Sequence, residues 1–370
     1  MDAKDLILRI FDMAGIQLNG DRPWDIRVHD ERFFSRVVAH GNLGAGEAYM
    51  DGWWDAERLD ETFARLLATG AAARIQRSFD SMLAAVRTRL VNAQSRSRSQ
   101  QVARRHYDLG NDLYLAFLDP YNQYTCGYFK DTTDLNVAQE KKLDLICRKL
   151  QLQPGDRVLD IGCGWGGFAK WAAERHGCHV TGVSISKEQI AYAREFTAGL
   201  PVEIQHRDYR DLQGQYDKIL ICGMIEHVGH KNYRTLLAAA RGVLRRSGLI
   251  LLHSIGQSTS TTTNDPWFAR YIFPNSVAPS AAQITRATEG LFVLEDLQNF
   301  GHYYSPTLIA WWENLQAAWP RLQDKYGERI YRMFRYYLLS CAGTFRARDV
   351  QLYQFVFSPA GVTGGYEPVR

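Results

Sequence analysis

The segment that most constrains the fold is a short apolar run that leads directly into a glycine-rich loop and then into helical sequence. The run covers 157–161, and the loop after it contains Gly162, Gly164, Gly166 and Gly167. Glycine has no side chain, so it lets a ligand or another chain segment approach the backbone closely. A helix N-terminus also presents free N–H groups and positive dipole density, which hold an anionic group such as a carboxylate or phosphate. The pattern therefore predicts a strand, a binding loop and a helix in succession.

The sequence after residue 105 alternates short β-branched runs with longer segments of helical periodicity. This alternation is typical of a parallel sheet covered by helices, so it predicts an α/β domain over 106–370. The predicted strands are 157–161, 179–184, 202–206, 216–222, 248–254, 291–297 and 350–357.

The sequence before this domain is long enough for a second, smaller one, which 370 residues in total also favour. Leu6, Ile10 and Met13 have helical spacing, and turn signals follow at Asn19-Gly20 and Gly41-Asn42. We expect a small, mostly helical domain over 1–92. The basic, polar and aperiodic stretch that follows predicts a linker over 93–105.

Bulk composition excludes several classes of protein. No run approaches the roughly 18 uninterrupted apolar residues that a membrane span requires, so no span is expected. The net charge of only +4 gives no reason to expect a nucleic-acid partner. Acidic residues lie near the start, where a secretory signal needs basic ones, which predicts a cytoplasmic protein. The six scattered cysteines have no zinc-like spacing, so we expect reduced thiols and no metal site.

The residues around the glycine loop distinguish two classes of cofactor. The glycines satisfy G-x-G-x-x-G, but a nicotinamide site expects an acid about 20 residues later, at the end of the second strand. That strand ends here at Ser184. Asp160, directly before the glycines, instead matches the D-x-G-x-G-x-G loop of class I S-adenosylmethionine-dependent methyltransferases, which the segment resembles. We therefore favour S-adenosylmethionine over NAD.

Three further cofactor contacts follow from this resemblance. Most relatives have an acid where this chain has Ser184, so the usual ribose contact is in question, and Gln189 one helical turn later is an alternative. Asp208 follows the third strand at the position expected for an adenine contact. It also fits an ordinary solvated turn residue.

Three more segments narrow the resemblance from the methyltransferases in general to one family. They are HYDLGNDLYLAFLDPYNQYTCGYF at 106–129, CGMIEHVGHKNY at 222–233 with LLHSIG at 251–256, and NFGHYYSPTLIAWWE at 299–313. Their order and spacing resemble the cyclopropane-fatty-acyl-phospholipid synthases and their mycolic-acid relatives. The resemblance implies a seven-stranded class I methyltransferase sheet with a smaller, mostly helical N-terminal domain. It also implies methylene transfer from S-adenosylmethionine to a cis double bond.

The family's site residues carry over onto matching positions of this chain. The resemblance implies that bicarbonate is bound as the base by Cys126, Glu226, His253 and Tyr304, with the Gly223 backbone as a further donor. It also implies that Tyr124 and Thr125 contact the methionine carboxylate. Without their flanking motifs, Cys126, His253 and Tyr304 would each be ordinary core residues.

The expected partner is a phospholipid bilayer with unsaturated acyl chains, and the resemblance implies a homodimer. Residues 71–105 contain eight arginines and one acid, beside apolar residues with helical spacing. A basic amphipathic helix of this kind rests on an anionic lipid surface, which predicts peripheral association with the inner face of the cell membrane. The apolar face could equally pack on the catalytic domain, and a relative that acts on carrier-bound acyl chains is the alternative enzyme.

Overall fold

The structure is a computed structural model that describes residues 2–70 and 110–370. The predicted basic helix from residue 73, the predicted linker at 93–105 and the first residues of the predicted catalytic domain lie outside the described residues. The chain divides into two compact units, a helical one and one built on a large sheet. Within the described ranges, no helix is both long and apolar enough to cross a membrane.

The helical unit is assembled from three parts of the sequence, which differs from the predicted division at residue 92. Besides the N-terminal segment it contains Thr262–Pro274 and Tyr304–Val350, both from within the predicted catalytic domain. Its described helices are α1 Ala3–Met13, α2 Arg32–Met50, α3 Leu59–Ala68, α9 Pro266–Tyr271, α11 Tyr304–Ala318 and α12 Gln323–Arg346, and a short antiparallel pair is formed by β1 Arg27–Val28 and β2 Trp54–Asp55.

Close contact between α3 and α12 explains why the later segments belong to this unit. A Cβ atom on Gly343 of α12 would lie 2.5 Å from the carbonyl oxygen of Asp60 and 2.7 Å from Phe63 Cβ. The ion pair from Arg346 to the buried Asp60 carboxylate, at 2.7 Å, joins the same two helices. The N-terminal helices therefore complete their core with residues that come nearly three hundred positions later.

One of the predictions for the N-terminal segment needs correction. Helix α1 forms as expected, but it buries Ile7, Ile10 and Phe11, whereas Met13 is 51% exposed. The turn predicted at Gly41-Asn42 is instead a kink inside α2, because Gly41 has φ 55° and ψ −134° while helical structure continues on both sides. Asn19 does occupy a left-handed turn conformation, with φ 54°.

The second unit contains a seven-stranded sheet with the spatial order β5-β4-β3-β6-β7-β9-β8. All seven predicted strands are present. Their bounds are β3 Arg157–Ile161, β4 His179–Ser184, β5 Val202–His206, β6 Tyr216–Cys222, β7 Leu244–Gln257, β8 Val293–Asn299 and β9 Val350–Ser358. Strands β3 to β7 pair in parallel, and β8 runs antiparallel to β9.

Helices cover both faces of this sheet, as the alternation of β-branched and helical segments predicts. The described helices of the unit are α4 Asn111–Leu115, α5 Leu135–Lys149, α6 Gly167–His176, α7 Lys187–Phe196, α8 Tyr233–Val243 and α10 Ala281–Thr288. Two apolar clusters form the core, one on each face. The parallel strands end at one edge, and in open α/β sheets ligands bind at that edge.

Candidate active site

The glycine loop connects β3 to α6 in a conformation that requires glycine. Gly162, Gly164 and Gly166 have φ values of 87°, 53° and 85°, which side chains rarely adopt. A Cβ atom on Gly162 would lie 2.8 Å from Met224 Cγ, so that position also has no space for a side chain. The Gly162 N–H donates to the Val183 carbonyl at 2.9 Å, which fixes the loop to the end of β4.

A second segment, 121–126, crosses the start of α6 and reaches the loop after β6. A Cβ atom on Gly167 would clash with the Tyr121 carbonyl oxygen, and one on Gly223 would lie 3.0 Å from Thr125 Cγ2. The Tyr124 ring lies 6.4 Å from that of Trp165 in the glycine loop. The predicted cofactor residues Tyr124 and Thr125 are therefore placed beside the glycines.

Helix α5 holds this segment through two buried polar side chains that the sequence analysis did not identify. Lys142 Nζ donates to Gln123 Oε1 and, at 3.0 Å, to Thr125 Oγ1. Gln139 Nε2 donates to the Thr125 carbonyl at 2.8 Å. The two residues are three positions apart, so they lie on one face of the helix. A lysine and a glutamine within the apolar face of α5 are the signal that could have revealed them.

Burial shifts the pKa values of Lys142 and of two nearby carboxyl groups towards their neutral forms. Burial raises the pKa of Asp160 to about 7, although the Lys142 ammonium opposes the shift. Burial likewise raises the pKa of Asp119, whose carboxylate accepts the N–H groups of Tyr121 and Gln123 at 2.9 and 2.7 Å. The Lys142 pKa is lowered, again by burial. The Lys142 ammonium therefore interacts electrostatically with two buried carboxyl groups, those of Asp119 and Asp160.

Glu226 and His253 come together at the ends of two adjacent strands, as predicted. In the pairing of β6 with β7, Cys222 lies opposite His253, and the Ile255 N–H donates to Glu226 Oε1 at 2.7 Å. The other carboxylate oxygen, Oε2, and His253 Nε2 are buried without a hydrogen-bond partner among the described residues. Burial raises the Glu226 pKa to about 7 and lowers the His253 pKa well below its usual range.

The backbone of Gly223 has a different role from the one expected. Its N–H donates to the His253 carbonyl at 2.9 Å, so this donor is engaged within the protein. The interpretation of Gly223 as a donor to bicarbonate is therefore corrected. The bond instead fixes the turn after β6 to β7, so the segments that carry Glu226 and His253 meet at this edge of the sheet.

Three predicted cofactor residues remain. Gln189 lies beside the glycine loop, whereas the side chains of Ser184 and Asp208 form hydrogen bonds within their own turns. Gln189 is buried on α7, and its Nε2 lies 3.9 Å from the Cβ position of Gly164, beside the loop. Ser184 Oγ accepts the Ser186 N–H at 3.2 Å. Asp208 accepts the Arg210 N–H at 2.9 Å and forms an ion pair with the Arg210 guanidinium. Asp208 thus caps its own turn, and its contact with adenine stays a prediction.

Cys126 and Tyr304 belong to different units. Cys126 is fully buried in the sheet unit, with Sγ 3.2 Å from the Gly127 carbonyl. Tyr304 begins α11 of the helical unit, where its ring lies 4.3 Å from that of Phe345. Their participation in an anion site stays a prediction. Across the described residues, no group of three or more His, Cys, Asp or Glu side chains is placed to hold a metal ion.

A glycine loop after the first central strand of this seven-stranded sheet defines the fold of class I S-adenosylmethionine-dependent methyltransferases. A solved structure of the mycolic acid cyclopropane synthase CmaA1, complexed with SAH and CTAB, superposes with a TM-score of 0.66. It shares 29% identity and covers 70% of this chain and 98% of its own.

The sequence comparisons identify the family. The mycolic acid cyclopropane synthetase family model matches residues 94–355. The cyclopropane-fatty-acyl-phospholipid synthase of Escherichia coli K12 is 50% identical over 96% of this chain and 93% of its own length. A probable fatty acid methyltransferase of Pseudomonas putida is 36% identical over 68% of this chain and 67% of its own. The chain belongs to the mycolic acid cyclopropane synthetase family.

Proposed function

We propose that this chain transfers a methylene group from S-adenosylmethionine to the cis double bond of an unsaturated acyl chain in a membrane phospholipid, with bound bicarbonate as the base. The observation that carries the proposal is the pair of unpartnered polar atoms, Glu226 Oε2 and His253 Nε2, within the described residues. Unpaired buried polar atoms cost free energy. Glu226 follows β6 and His253 lies on β7, which are one and two strands from β3 and its glycine loop. Their place at this ligand-binding edge therefore favours a small polar ligand there.

The reaction explains why an anion is needed at this position. An alkene has no acidic proton to lose first, so its π electrons would attack the methyl group of S-adenosylmethionine. The bond from that methyl group to sulfur would break, releasing S-adenosylhomocysteine and leaving a carbocation on the neighbouring carbon. Ring closure then requires removal of a proton from the new methyl group, in a site that excludes water. Bicarbonate, when bound, supplies the base for this step.

The residues around Glu226 and His253 fit such an anion. Bicarbonate offers one hydroxyl donor and several acceptor oxygens, and a carboxylate oxygen and an imidazole N–H are complementary to these. The surroundings are apolar and aromatic: the Phe300 ring lies 5.9 Å from that of His253, and Tyr128 lies 5.3 Å from Phe300. Aromatic faces also stabilise a nearby cation. The chain's own contribution is to orient the anion and keep the site dry.

The comparisons favour a phospholipid substrate over a carrier-bound one. The relative named as a phospholipid-modifying synthase matches 96% of this chain at 50% identity. The relative named as a fatty acid methyltransferase matches only 68% at 36% identity. The first alignment must include most of the N-terminal segment, so the similarity is not restricted to the catalytic fold.

The product test uses purified protein, S-adenosylmethionine and vesicles of cis-unsaturated phosphatidylethanolamine and phosphatidylglycerol. We expect a product 14 mass units heavier than the substrate acyl chain, with cyclopropane proton signals by NMR. The same acyl chains on an acyl carrier protein serve as the comparison substrate. A methyl branch in place of the ring, or faster turnover of the carrier-bound chain, would contradict the proposal.

The base is tested with Glu226→Gln, which keeps the shape of the side chain but removes its charge. We expect turnover to fall at least about tenfold, equivalent to roughly 1.4 kcal/mol, with cofactor affinity changed much less. Glu203→Gln is the matched control, because Glu203 is exposed on β5. Depleting bicarbonate should slow the wild-type enzyme. Full activity of both degassed wild type and Glu226→Gln would exclude this base.

We also propose that the protein acts as a homodimer at the inner face of the cell membrane, held by its basic segment. The support is the excess of eight arginines over one acid in 71–105. Changing Arg74, Arg77, Arg87 and Arg89 together to glutamate should weaken sedimentation with anionic vesicles, by about 1 kcal/mol for each arginine near the surface. Unaltered sedimentation would place the membrane contact elsewhere, and analytical ultracentrifugation tests the dimer.

A further inference from the structure

Gln354 is a buried side chain on β9 that neither the motifs nor the proposed mechanism uses. Strand β9 neighbours β7 in the sheet, and Gln354 is completely buried there. Its amide nitrogen, Nε2, lies 3.2 Å from Nδ1 of His253. A glutamine in the middle of a core strand is costly to bury unless its amide has a specific partner. Its partner here is the imidazole beside Glu226.

The side of the Gln354 amide that faces His253 sets which imidazole nitrogen carries the proton. The amide nitrogen lies towards Nδ1, and Oε1 of Gln354 has no partner among the described residues. An amide nitrogen donates, so in this orientation Nδ1 accepts and a neutral ring has its proton on Nε2. Burial keeps the His253 pKa well below its usual range, so the ring stays neutral and its tautomer becomes decisive. His253 Nε2 has no partner among the described residues. The N–H on this nitrogen is therefore left for a ligand.

The opposite tautomer would be unsuitable for an anion. With the proton on Nδ1, the ring would present a lone pair at Nε2, and a lone pair repels an anionic oxygen. Bicarbonate has a single hydroxyl, and when Glu226 Oε2 accepts it, a neutral imidazole binds the remaining oxygens only through an Nε2–H. The Ile255 N–H already occupies Glu226 Oε1 at 2.7 Å, so Glu226 Oε2 remains as the acceptor for a hydroxyl group of the same anion.

We propose that Gln354 is a positioning residue that fixes neutral His253 in its Nε2–H tautomer, so that His253 donates a hydrogen bond to the bicarbonate held beside Glu226. This inference rests on the proposed function, because it assigns the bound anion to that site. Gln354 itself touches only the far side of the imidazole. Its effect on the reaction is therefore indirect and passes through the proton position on His253.

The tautomer is measured directly by nitrogen NMR of the wild-type protein labelled with ¹⁵N-histidine. The His253 signals are assigned by their loss in His253→Gln. We expect a protonated Nε2 and an unprotonated, hydrogen-bonded Nδ1 at pH 8. A proton on Nδ1 would overturn the proposal whatever the kinetics show. This measurement uses the wild-type residue at position 354, so it does not depend on whether a Gln354 variant folds.

The functional consequence is tested with Gln354→Glu, since a carboxylate accepts a hydrogen bond where the amide donates. We expect the His253 proton to move to Nδ1 and the bicarbonate concentration at half-maximal rate to rise about tenfold, with the Kd for S-adenosylmethionine unchanged. Gln354→Met removes the contact without reversing it and should produce a rise of only about twofold to threefold. Gln351→Leu is the control, because Gln351 is a buried glutamine of the same strand that pairs with Asn299.

The bicarbonate requirement, measured as the bicarbonate concentration at half-maximal rate, must change together with the protonation of His253 Nε2 across these variants. The proposal is overturned if Nε2 loses its proton without a change in the requirement, or if the requirement rises tenfold while Nε2 keeps its proton. A wild-type enzyme that ignores bicarbonate but shows the Nε2–H tautomer would refute the proposed base and leave the role of Gln354 on His253 intact. The two hypotheses therefore fail in different experiments.

Discussion

The carboxylates of the N-terminal segment and those at the ligand-binding edge of the sheet are both buried but have opposite electrostatic surroundings. Asp25 and Asp60 are 2% and 3% exposed, and Asp160 and Glu226 are 2% and 7% exposed. Asp60 binds the guanidinium groups of Arg58 and Arg346. The pKa values of Asp25 and Asp60 are lowered, because bonds from neighbouring arginines outweigh burial. Burial instead raises those of Asp160 and Glu226 to about 7.

This difference separates carboxylates that stabilise the fold from carboxylates that serve a ligand. A buried acid that forms ion pairs in the native state contributes to stability at neutral pH. One that is buried without enough compensation weakens the fold at neutral pH, so its presence needs another reason. Asp296 shows that the difference does not simply follow the two units. It lies in the sheet unit, yet Arg370 pairs with it through two bonds of 2.7 Å and its pKa is lowered.

The largest effect is expected from Gly162→Val, which fills the space beside the glycine loop. A Cβ atom there meets Met224 Cβ and Cγ at 2.9 and 2.8 Å, so we expect S-adenosylmethionine affinity to fall at least about 100-fold by calorimetry. Gly155→Val is the matched control, because Gly155 has a similar φ of 84° with nothing within 4 Å of its Cβ position. Equal affinity in the two variants would remove the loop from the binding site.

The next largest effects are expected from the two buried lysines of α5, Lys142 and Lys149. Lys142 supports the segment around Thr125, so Lys142→Met should weaken S-adenosylmethionine binding about tenfold. Lys149 lies 3.3 Å from Asp296, so Lys149→Met should lower the free energy of unfolding by about 3 kcal/mol without changing that affinity. Calorimetry and denaturant titration of both variants measure the two effects. Identical profiles would show that Lys142 is structural only.

Removing the Glu226 charge should change how stability depends on pH. The Glu226 pKa is raised from 4.5 to about 7, so the native state binds more protons than the unfolded state between these values. Wild-type stability therefore falls as the pH rises through that window. In Glu226→Gln the slope should be shallower by up to about 1.4 kcal/mol per pH unit. Denaturant titrations from pH 4.5 to 8 test this, and an unchanged slope would contradict the shift.

The smallest effect is expected from Asp60→Asn in the helical unit. The substitution weakens the bonds to Arg58 and Arg346, and we expect a loss of about 1–2 kcal/mol at pH 7 with turnover unchanged. The lowered Asp60 pKa means that its contribution is complete above the unfolded value of about 3.9 and disappears as the pH falls below it. The difference between variant and wild type should therefore vanish in acid. A large loss of turnover at full stability would contradict a purely structural role.

The sheet was predictable because its central strands, such as β3 and β6, are largely buried runs of β-branched and aliphatic residues. The residues at which the strands begin and end were less predictable. Strand β7 begins at Leu244, before the predicted start at 248, because Leu244 pairs with Tyr216 across an irregularity in β6. The exposed residues at its start have no apolar signal. The division into units was missed for a related reason, since packing between α3 and α12 depends on the close approach at Gly343 rather than on local pattern.

The site was predictable where motifs mark it and not where buried polar residues outside the motifs complete it. Motifs located Glu226 and His253 at adjacent strand ends, and these two do lie together. Lys142 and Gln354 were missed, because a polar residue in an apolar pattern is interpreted as noise unless its partner is known. Gly223 was assigned to the ligand, whereas its N–H is used by the backbone of His253. A hydrogen bond between distant strands is set by register, which the local sequence does not contain.

The discontinuous helical unit has a consequence for how the protein is made. Asp60 and Arg346, which form one of its ion pairs, are separated by 286 positions. At about 5–20 residues per second, the ribosome needs roughly 15–60 s to deliver the second partner after the first. During that interval the apolar faces of α2 and α3 have no α12 to cover them. The N-terminal helices are thus early in synthesis but late in folding, and a chaperone that shields them would raise the yield of active protein more than one that acts on the sheet.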